Sequence, residues 1–227
     1  MTMTEPKRAL VIVDVQNDFC AGGSLATDDG AEVAAAITEH VSERRGDYDA
    51  IVMTRDWHVD PGTHFAPAGT EPDFTQTWPV HCVAGTPGAE LHEQLDVEEI
   101  AADAEFLKGL HDASYSGFDG RLGEPDLVRS GEGASAPAGP YGATAGDEAA
   151  VADDAPTLDE WLREQDVDAI TVVGIATDYC VKATVLDGLD AGYDVTVLAG
   201  LTAGVAEEST AAALEEMAEA GAHVVEG

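Results

Sequence analysis

The chain has 227 residues, of which 44% are hydrophobic, so it is long enough to bury a sizeable core and is not typical of a disordered protein. Aspartate and glutamate total 45 against 10 lysines and arginines, which gives a formal net charge of −35 at pH 7. Such a charge repels nucleic acids and anionic membranes, so we expect neither as a partner. No apolar run reaches the roughly 18 residues of a membrane span, and the first residues do not follow the order of a secretion signal, so we expect a cytoplasmic protein.

Strands and helices alternate along the chain. Residues 8–15 (RALVIVDV) predict a strand that is buried on both faces, and a helix follows at residues 30–45. The alternation predicts an α/β fold class, a three-layer α/β/α arrangement around a mainly parallel central sheet. The other predicted strands are at residues 49–54, 105–108, 168–176, 194–198 and 222–225, and the other predicted helices are at residues 180–192 and 207–221.

One stretch interrupts this alternation. Residues 124–156 are rich in Gly, Ala, Pro, Ser and Asp and contain few large apolar side chains, so they offer little to bury. We expect a flexible, acidic surface insertion within one domain spanning residues 1–227. A functional lid is the less favoured interpretation of the same segment.

The acidic composition predicts adaptation to a salt-rich cytoplasm. At molar salt the Debye length is about 3 Å, so repulsion between surface carboxylates is screened. Two alternatives stay open, an acidic protein from an ordinary cell and an acidic docking face for a basic partner. The cysteines are too few for a disulfide framework and favour a reducing compartment; they are Cys20, Cys82 and Cys180.

Three reactive side chains follow predicted strands. Asp14 ends the first strand, Lys108 ends the third, and Cys180 follows the fourth in GIATDYCV. Because ligands bind at the carboxyl ends of parallel strands, these side chains are candidates for one site. Lys108 carries the most weight, because the composition has nearly eliminated lysine and a buried ammonium needs a carboxylate such as Asp14. The alternatives are a capping role for the aspartate and simple burial for the cysteine.

The three side chains together suit nucleophilic catalysis. The thiolate of Cys180 would attack, favoured by the positive charge of Lys108 and by the amino end of the following helix. Asp14 would take the thiol proton and later return it to a leaving amine. Backbone N–H groups of the turn at residues 174–177 could stabilise an oxyanion.

A second cluster follows the second strand, in the sequence TRDWHVDPGTHF. Asp56 and His58 are two residues apart and point the same way on extended backbone, and His64 follows a Pro-Gly turn. With His81 they provide one carboxylate and three imidazoles, which suit a borderline divalent metal ion. The alternative is a set of turn and surface residues. We assign the other histidines to the surface; they are His40, His92, His111 and His223. We assign structural roles to Cys20 and Cys82.

The sequence around these residues resembles a known family. The segments DVQNDFC, TRDWHVDPGTHF, WPVHCVAGTPGAELH, FLKG, YSGFDG and GIATDYCV are similar, in this order, to those of nicotinamidase/pyrazinamidase in the isochorismatase-like superfamily of cysteine hydrolases. The resemblance runs from residue 8 to about residue 225 and lapses in the insertion at residues 124–156, which looks longer than the family's usual connection.

The resemblance implies a role for each matching position. It implies Asp14 as general base and acid, Lys108 as its cationic partner and Cys180 as the nucleophile. It implies an oxyanion hole from the backbone of Ala176 and Cys180, with a cis peptide bond between Ile175 and Ala176. It implies that one Zn, Fe or Mn ion, with zinc favoured, is bound by Asp56, His58, His64 and His81. It also implies that the substrate ring is bound by three aromatic side chains, Phe19, Trp78 and Tyr115.

The implied activity is metal-dependent hydrolysis of nicotinamide to nicotinate and ammonia through a thioester, with pyrazinamide as a second substrate and NAD salvage as the role. The expected partner is therefore a small molecule, and a homo-oligomer stays open. One alternative is another hydrolase of the same fold, an isochorismatase or an N-carbamoyl amidase, which does not need the four metal ligands. A catalytically inactive member that binds a ligand is the other alternative.

The charge predicts that salt stabilises the fold. Raising KCl from about 0.1 M to about 3 M should raise the melting temperature, because screening reduces repulsion among the acidic side chains. Circular dichroism at each salt concentration measures this. A melting temperature that falls with salt contradicts the interpretation, and loss of a bound basic protein at high salt would instead support a docking face.

Overall fold

A computed structural model describes residues 6–124, 139–152 and 154–226 of the chain. The strands are β1 (Lys7–Val13), β2 (Ala50–Asp56), β3 (Ala104–Lys108), β4 (Arg121–Leu122), β5 (Val167–Ile175), β6 (Asp194–Ala203) and β7 (His223–Val225). The helices are α1 (Gly30–Arg44), α2 (Val97–Ile100), α3 (Ala145–Glu148), α4 (Leu158–Glu164), α5 (Lys182–Asp190) and α6 (Glu207–Ala220). A π-helical turn, Thr177–Val181, leads directly into α5.

The strands form one sheet in the order β4-β3-β2-β1-β5-β6-β7. All pairings are parallel except that of the short edge strand β4 with β3. The chain adds strands on one side of β1 up to β4 and then crosses to the other side for β5 to β7. The strand order therefore reverses between β1 and β5, which is where open α/β sheets bind their ligands.

The sheet separates two apolar layers. Successive residues of β1 point to opposite layers, Leu10 and Ile12 to one and Val11 and Val13 to the other, and all are buried. Helix α1 packs on the first layer, and α4, α5 and α6 contribute buried side chains to the second. The predicted three-layer α/β/α architecture with a mainly parallel sheet is confirmed.

The predicted elements lie close to the observed ones, with β6 five residues longer than expected and the helix after β5 preceded by the π-helical turn. The sequence analysis missed four short elements, β4, α2, α3 and α4. Within the described part of the chain, no helix is long and apolar enough to cross a membrane.

The insertion at residues 124–156 differs in part from the expectation. Residues 125–138 and 153 lie outside the described residues, so the predicted mobility there is untested. Residues 139–152 contain helix α3, which begins with a capping box between Thr144 and Asp147, and the buried side chains of Ala143 and Ala150. Small side chains such as these alanines are buried where neighbouring loops supply apolar contacts. The composition of the segment alone did not predict this burial.

The close fit of β1 and β5 requires a glycine. Gly174 has a φ of +117°, and a Cβ at this position would overlap the carbonyl oxygen of Val13. Gly192 has a φ of +93° but open space around it, so an alanine there tests the effect of the positive φ without a steric overlap.

We expect Gly174→Ala to lower the free energy of unfolding by about 2–4 kcal/mol, because it adds a steric overlap to an unfavourable φ. Gly192→Ala should cost only about 1 kcal/mol, the penalty of the left-handed backbone alone. Urea unfolding followed by fluorescence compares the two variants. Equal losses would contradict the tight contact between β1 and β5.

Candidate active site and metal centre

The carboxyl ends of four strands bring the predicted reactive residues together. Asp14 directly follows β1, Asp56 ends β2, Lys108 ends β3, and Cys180 lies in the π-helical turn after β5. Asp56 and Lys108 are register partners across β2 and β3, so their side chains start from neighbouring positions. All four side chains are buried.

Lys108 contacts three of the reactive groups. Its Nζ lies 2.9 Å from Oδ2 of Asp14 and 3.6 Å from Sγ of Cys180, and it forms an ion pair with Oδ1 of Asp56. The sequence suggested Asp14 as the carboxylate partner, and the structure adds Asp56. Burial alone would lower the pKa of the Lys108 ammonium, but the two carboxylates outweigh burial and raise it well above its usual value.

The two carboxylates differ in their affinity for a proton. Burial raises the pKa of Asp14, and the attraction of Lys108 only partly opposes this. Burial also acts on Asp56, but Lys108 and His58 outweigh it and lower the pKa of that carboxyl. Asp14 is therefore the carboxylate that more readily accepts and releases a proton.

The thiol of Cys180 lies in surroundings that favour its protonated form. Burial raises the pKa of the Cys180 thiol well above its usual value, although Lys108 lowers it. Ligand atoms of Asp14, Asp56 and Cys180 lie within 4.8 Å of one another. The resting group is therefore a thiol with a carboxylate beside it, so loss of its proton is coupled to uptake by Asp14.

Two polar side chains that the sequence analysis missed hold the carboxylates. Thr54 donates its hydroxyl to Oδ1 of Asp14 at 2.6 Å. Gln16 binds the backbone of Asp56 at two points, donating to its carbonyl oxygen and accepting from its N–H, both at 2.8 Å. Gln16 is fully buried, and such a polar side chain beside a strand end was the only sequence signal for this role.

The second cluster assembles three imidazoles and one carboxylate. Nitrogen atoms of His58, His64 and His81 lie within 4.8 Å of one another, and all three side chains are buried. Oδ2 of Asp56 lies 3.6 Å from Nε2 of His58 and 3.8 Å from Nε2 of His81. Asp56 thus contacts the lysine with one oxygen and the histidines with the other.

Hydrogen bonds orient two of the histidine rings. Nδ1 of His58 lies 2.6 Å from the carbonyl oxygen of Gly109, and Nδ1 of His81 lies 2.7 Å from that of Pro79. These carbonyls require N–H donors, so Nδ1 of each ring donates and Nε2 is the ring nitrogen left for a further contact. Burial lowers the pKa of His64 to about 4 and that of His81 to about 3, which keeps both rings neutral at pH 7.

Two polar atoms in this cluster are buried with no hydrogen-bond partner among the described residues, Nε2 of His58 and Nδ1 of His64. Unsatisfied buried nitrogens are costly, and several of them facing one another indicate a site for a bound ion. The donor set of one carboxylate and three imidazoles therefore fits a divalent transition metal.

One pocket, open to solvent, joins the two clusters. The predicted ring-binding side chains Phe19, Trp78 and Tyr115 line it, and Tyr179 packs edge-on against Trp78 with ring centroids 5.0 Å apart. The reactive groups that face the same pocket are Asp56, His64, His81, Ala176 and Cys180. The sequence analysis missed Leu25, Thr27 and Val205 as lining residues.

The turn after β5 has the backbone that the resemblance implies. The peptide bond between Ile175 and Ala176 is cis, and Ala176 and Cys180 both line the pocket. Both residues therefore border the same pocket as the thiol.

The remaining cysteines and histidines lie apart from these clusters. Cys20 and Cys82 are buried free thiols, and Sγ of Cys82 donates to the carbonyl oxygen of Gly88 at 3.8 Å. Each of the other histidines contacts a different partner. His40 contacts the hydroxyl of Tyr48, and His92 accepts from the backbone N–H of Gln94. His111 contacts the carboxylate of Glu148, and His223 contacts the carboxylate of Asp194.

A family model described as the Isochorismatase domain matches residues 8–124 and 152–227, most of the chain. The chain belongs to the isochorismatase family. It is 44% identical over 218 residues to a nicotinamidase/pyrazinamidase of Mycobacterium tuberculosis, a match that covers 96% of this chain and 98% of that relative.

Solved structures of this fold agree with the isochorismatase-family assignment. PnC1 from L. infantum in complex with nicotinate has a TM-score of 0.71 and 28% identity, and the match covers 99% of this chain and 95% of that chain. Pyrazinamidase of Pyrococcus horikoshii in complex with zinc has a TM-score of 0.66 and 30% identity, and the match covers 98% of this chain and 100% of that chain.

The contact between Lys108 and Cys180 predicts a chemical effect. Lys108→Met removes the cation that favours the thiolate, so alkylation of Cys180 by iodoacetamide at pH 8 should slow by about tenfold or more, the effect of one pKa unit. Peptide mass spectrometry measures the rate at this cysteine alone, and circular dichroism checks the fold.

Lys182→Met is the matched control, because it removes a lysine two positions from the cysteine that instead binds Glu216 on the surface. Its alkylation rate should equal that of the unmodified protein. Equal rates for Lys108→Met would show that Lys108 does not act on the thiol.

Proposed function

We propose that the protein hydrolyses nicotinamide to nicotinate and ammonia, and pyrazinamide in the same way. The observation that carries this proposal is a single aromatic-lined pocket faced by Cys180 and by the imidazole cluster. The name of the Mycobacterium tuberculosis relative and the nicotinate bound to the L. infantum enzyme support the same substrate class.

We propose that Asp56, His58, His64 and His81 hold one divalent metal ion, with zinc favoured over iron or manganese. The neutral imidazoles and their unpartnered nitrogens support this assignment, as does the zinc in the Pyrococcus horikoshii structure. An ion held by these four residues would supply a Lewis acid for the ring nitrogen of the substrate.

Aromatic side chains supply the rest of the orientation. Phe19, Trp78 and Tyr115 bind the faces and edges of the flat ring, and Nε1 of Trp78 donates to the hydroxyl of Tyr115 at 2.9 Å, which fixes both side chains. A small substrate held at its ring is presented with its carboxamide carbon to the sulfur of Cys180, so positioning lowers the barrier.

Acylation follows from the groups around the thiol. Asp14 accepts the proton of Cys180 while the sulfur attacks the carboxamide carbon, and the C=O electron pair moves to the oxygen. The backbone N–H groups of Ala176 and Cys180 stabilise this oxyanion. When the C=O bond re-forms, the C–N bond breaks, and Asp14 returns its proton to the nitrogen, which leaves as ammonia. A thioester on Cys180 remains.

Deacylation uses the same groups in reverse. Asp14 takes a proton from a water molecule whose oxygen attacks the thioester carbon, and the oxyanion hole again stabilises the negative oxygen. Re-formation of the C=O bond expels the sulfur, which regains a proton from Asp14, and the nicotinic acid formed loses its remaining proton to solvent to give nicotinate. Lys108 keeps its charge throughout, holding Asp14 and limiting the build-up of negative charge at the thiol.

In the cell, we propose that the enzyme works in a salt-rich cytoplasm and salvages nicotinamide released by NAD breakdown. The acidic composition supports the salt-rich surroundings.

The test is ammonia release from nicotinamide in multimolar KCl before and after chelation, with metal added back. We expect activity in the purified protein, its loss on chelation, and its return with zinc, manganese or iron. Cys180→Ala should release no ammonia while it retains metal by elemental analysis. Folded, metal-loaded protein that releases no ammonia would contradict the substrate, and activity that survives chelation would favour an isochorismatase or N-carbamoyl amidase.

A further inference from the structure

We propose that residues 139–151, here called the supporting segment, hold the metal-ligand loops in place from behind and thereby set how firmly the metal ion is bound. The inference rests on the proposed metal site. The family model matches residues 8–124 and 152–227, so this segment lies between the matched regions. Three separate contacts connect it to the loops that carry the ligands.

The first contact is a hydrogen bond to Trp57. This fully buried side chain stands between Asp56 and His58 in the chain, and its Nε1 donates to the carbonyl oxygen of Asp147 at 2.8 Å. A buried indole N–H requires an acceptor, and the supporting segment provides it. Trp57 is thereby fixed, and with it the backbone that joins two of the ligands.

The second contact is an aromatic one. The ring of Tyr141 packs edge-on against Phe65, with centroids 4.9 Å apart and an interplanar angle of 84°. Phe65 is buried, and its ring centroid lies 5.2 Å from those of His58 and His81 and 5.7 Å from that of His64. Phe65 therefore contacts all three imidazoles, and Tyr141 packs against the Phe65 ring.

The third contact is a close fit of backbone. A Cβ on Gly139 would overlap the carbonyl oxygen of Val59, the residue after His58. A Cβ on Gly85, in the loop that follows His81, would overlap the carboxylate of Asp147. These two glycines allow the segment to lie directly against both ligand loops.

The supporting segment does not form the substrate pocket. None of the residues described as lining that pocket lies between positions 139 and 151. Its contacts are with Trp57, Val59, Phe65 and the loop at Gly85, and none of these lines the pocket either. Packing around metal ligands fixes their orientation, and loss of such outer contacts weakens metal binding.

The test uses Co²⁺ alone as the probe, loaded into the full-length apoprotein. We compare Tyr141→Ala, Tyr141→Phe and the unmodified protein for the visible absorption of bound Co²⁺ and for its rate of release to a chelator. Tyr193→Ala is the matched control, because it removes a buried tyrosine that packs on Phe118 in the opposite layer.

We expect Tyr141→Ala to release Co²⁺ about 10-fold faster and to shift its absorption, because the ring contact that limits motion of the imidazoles is lost. Tyr141→Phe keeps the ring and should match the unmodified protein, whereas Tyr193→Ala should lower the melting temperature without changing the spectrum or the release rate. Trp57→Phe, which loses the donor to Asp147 together with part of the buried ring, should change release in the same direction and serves if Tyr141→Ala does not fold.

Unchanged release and spectrum in folded Tyr141→Ala and Trp57→Phe would overturn the inference while leaving the metal site intact. A change of equal size in Tyr193→Ala would also overturn it, since the effect would then follow general stability. An unmodified protein that binds no Co²⁺ would instead contradict the metal site of the proposed function.

Discussion

The buried ammonium of Lys108 is the constraint on which both halves of the site depend. It faces carboxylates that follow two different strands, and its charge opposes the rise in pKa that burial causes at both. Asp56 then extends the charge balance to the imidazole cluster with its second oxygen. The proposed nucleophile, proton acceptor and metal ligands are thus one electrostatic unit, in which Asp14 differs from Asp56 in proton affinity because only Asp56 also faces histidines.

The fold explains where this unit forms. The strand order reverses between β1 and β5, so Asp14 and Cys180 emerge side by side, and β2 and β3 place Asp56 and Lys108 in register next to them. The histidines come from the chain after β2, which folds back over the same edge. Isolated parallel bridges of His58 with Val83 and of Phe65 with Trp78 join these loops to one another, and the supporting segment packs against them through Trp57 and Phe65.

Much of this was visible in the sequence. Apolar runs predict the strands. The chain has only three lysines, so a lysine retained directly after an apolar strand indicated a functional role for Lys108. The pairing of Asp56 with Lys108 was not visible, because it depends on the register between β2 and β3. Order in part of the insertion was also missed, since it rests on long-range contacts to Trp57 and Phe65, although the Thr144–Asp147 capping box was a local signal that went unused. The depth of burial that keeps Cys180 protonated could not be read from residue types.

The most direct test of one joined site is a crystal structure of the Cys180→Ala variant with zinc and nicotinamide, using anomalous scattering to locate the metal. The account predicts one zinc ion bound by Asp56, His58, His64 and His81, with the ring nitrogen toward it and the carboxamide carbon facing position 180. Zinc bound instead beside Asp14 and Asp56 at the position of the missing thiol, or nicotinamide bound away from both clusters, would contradict it.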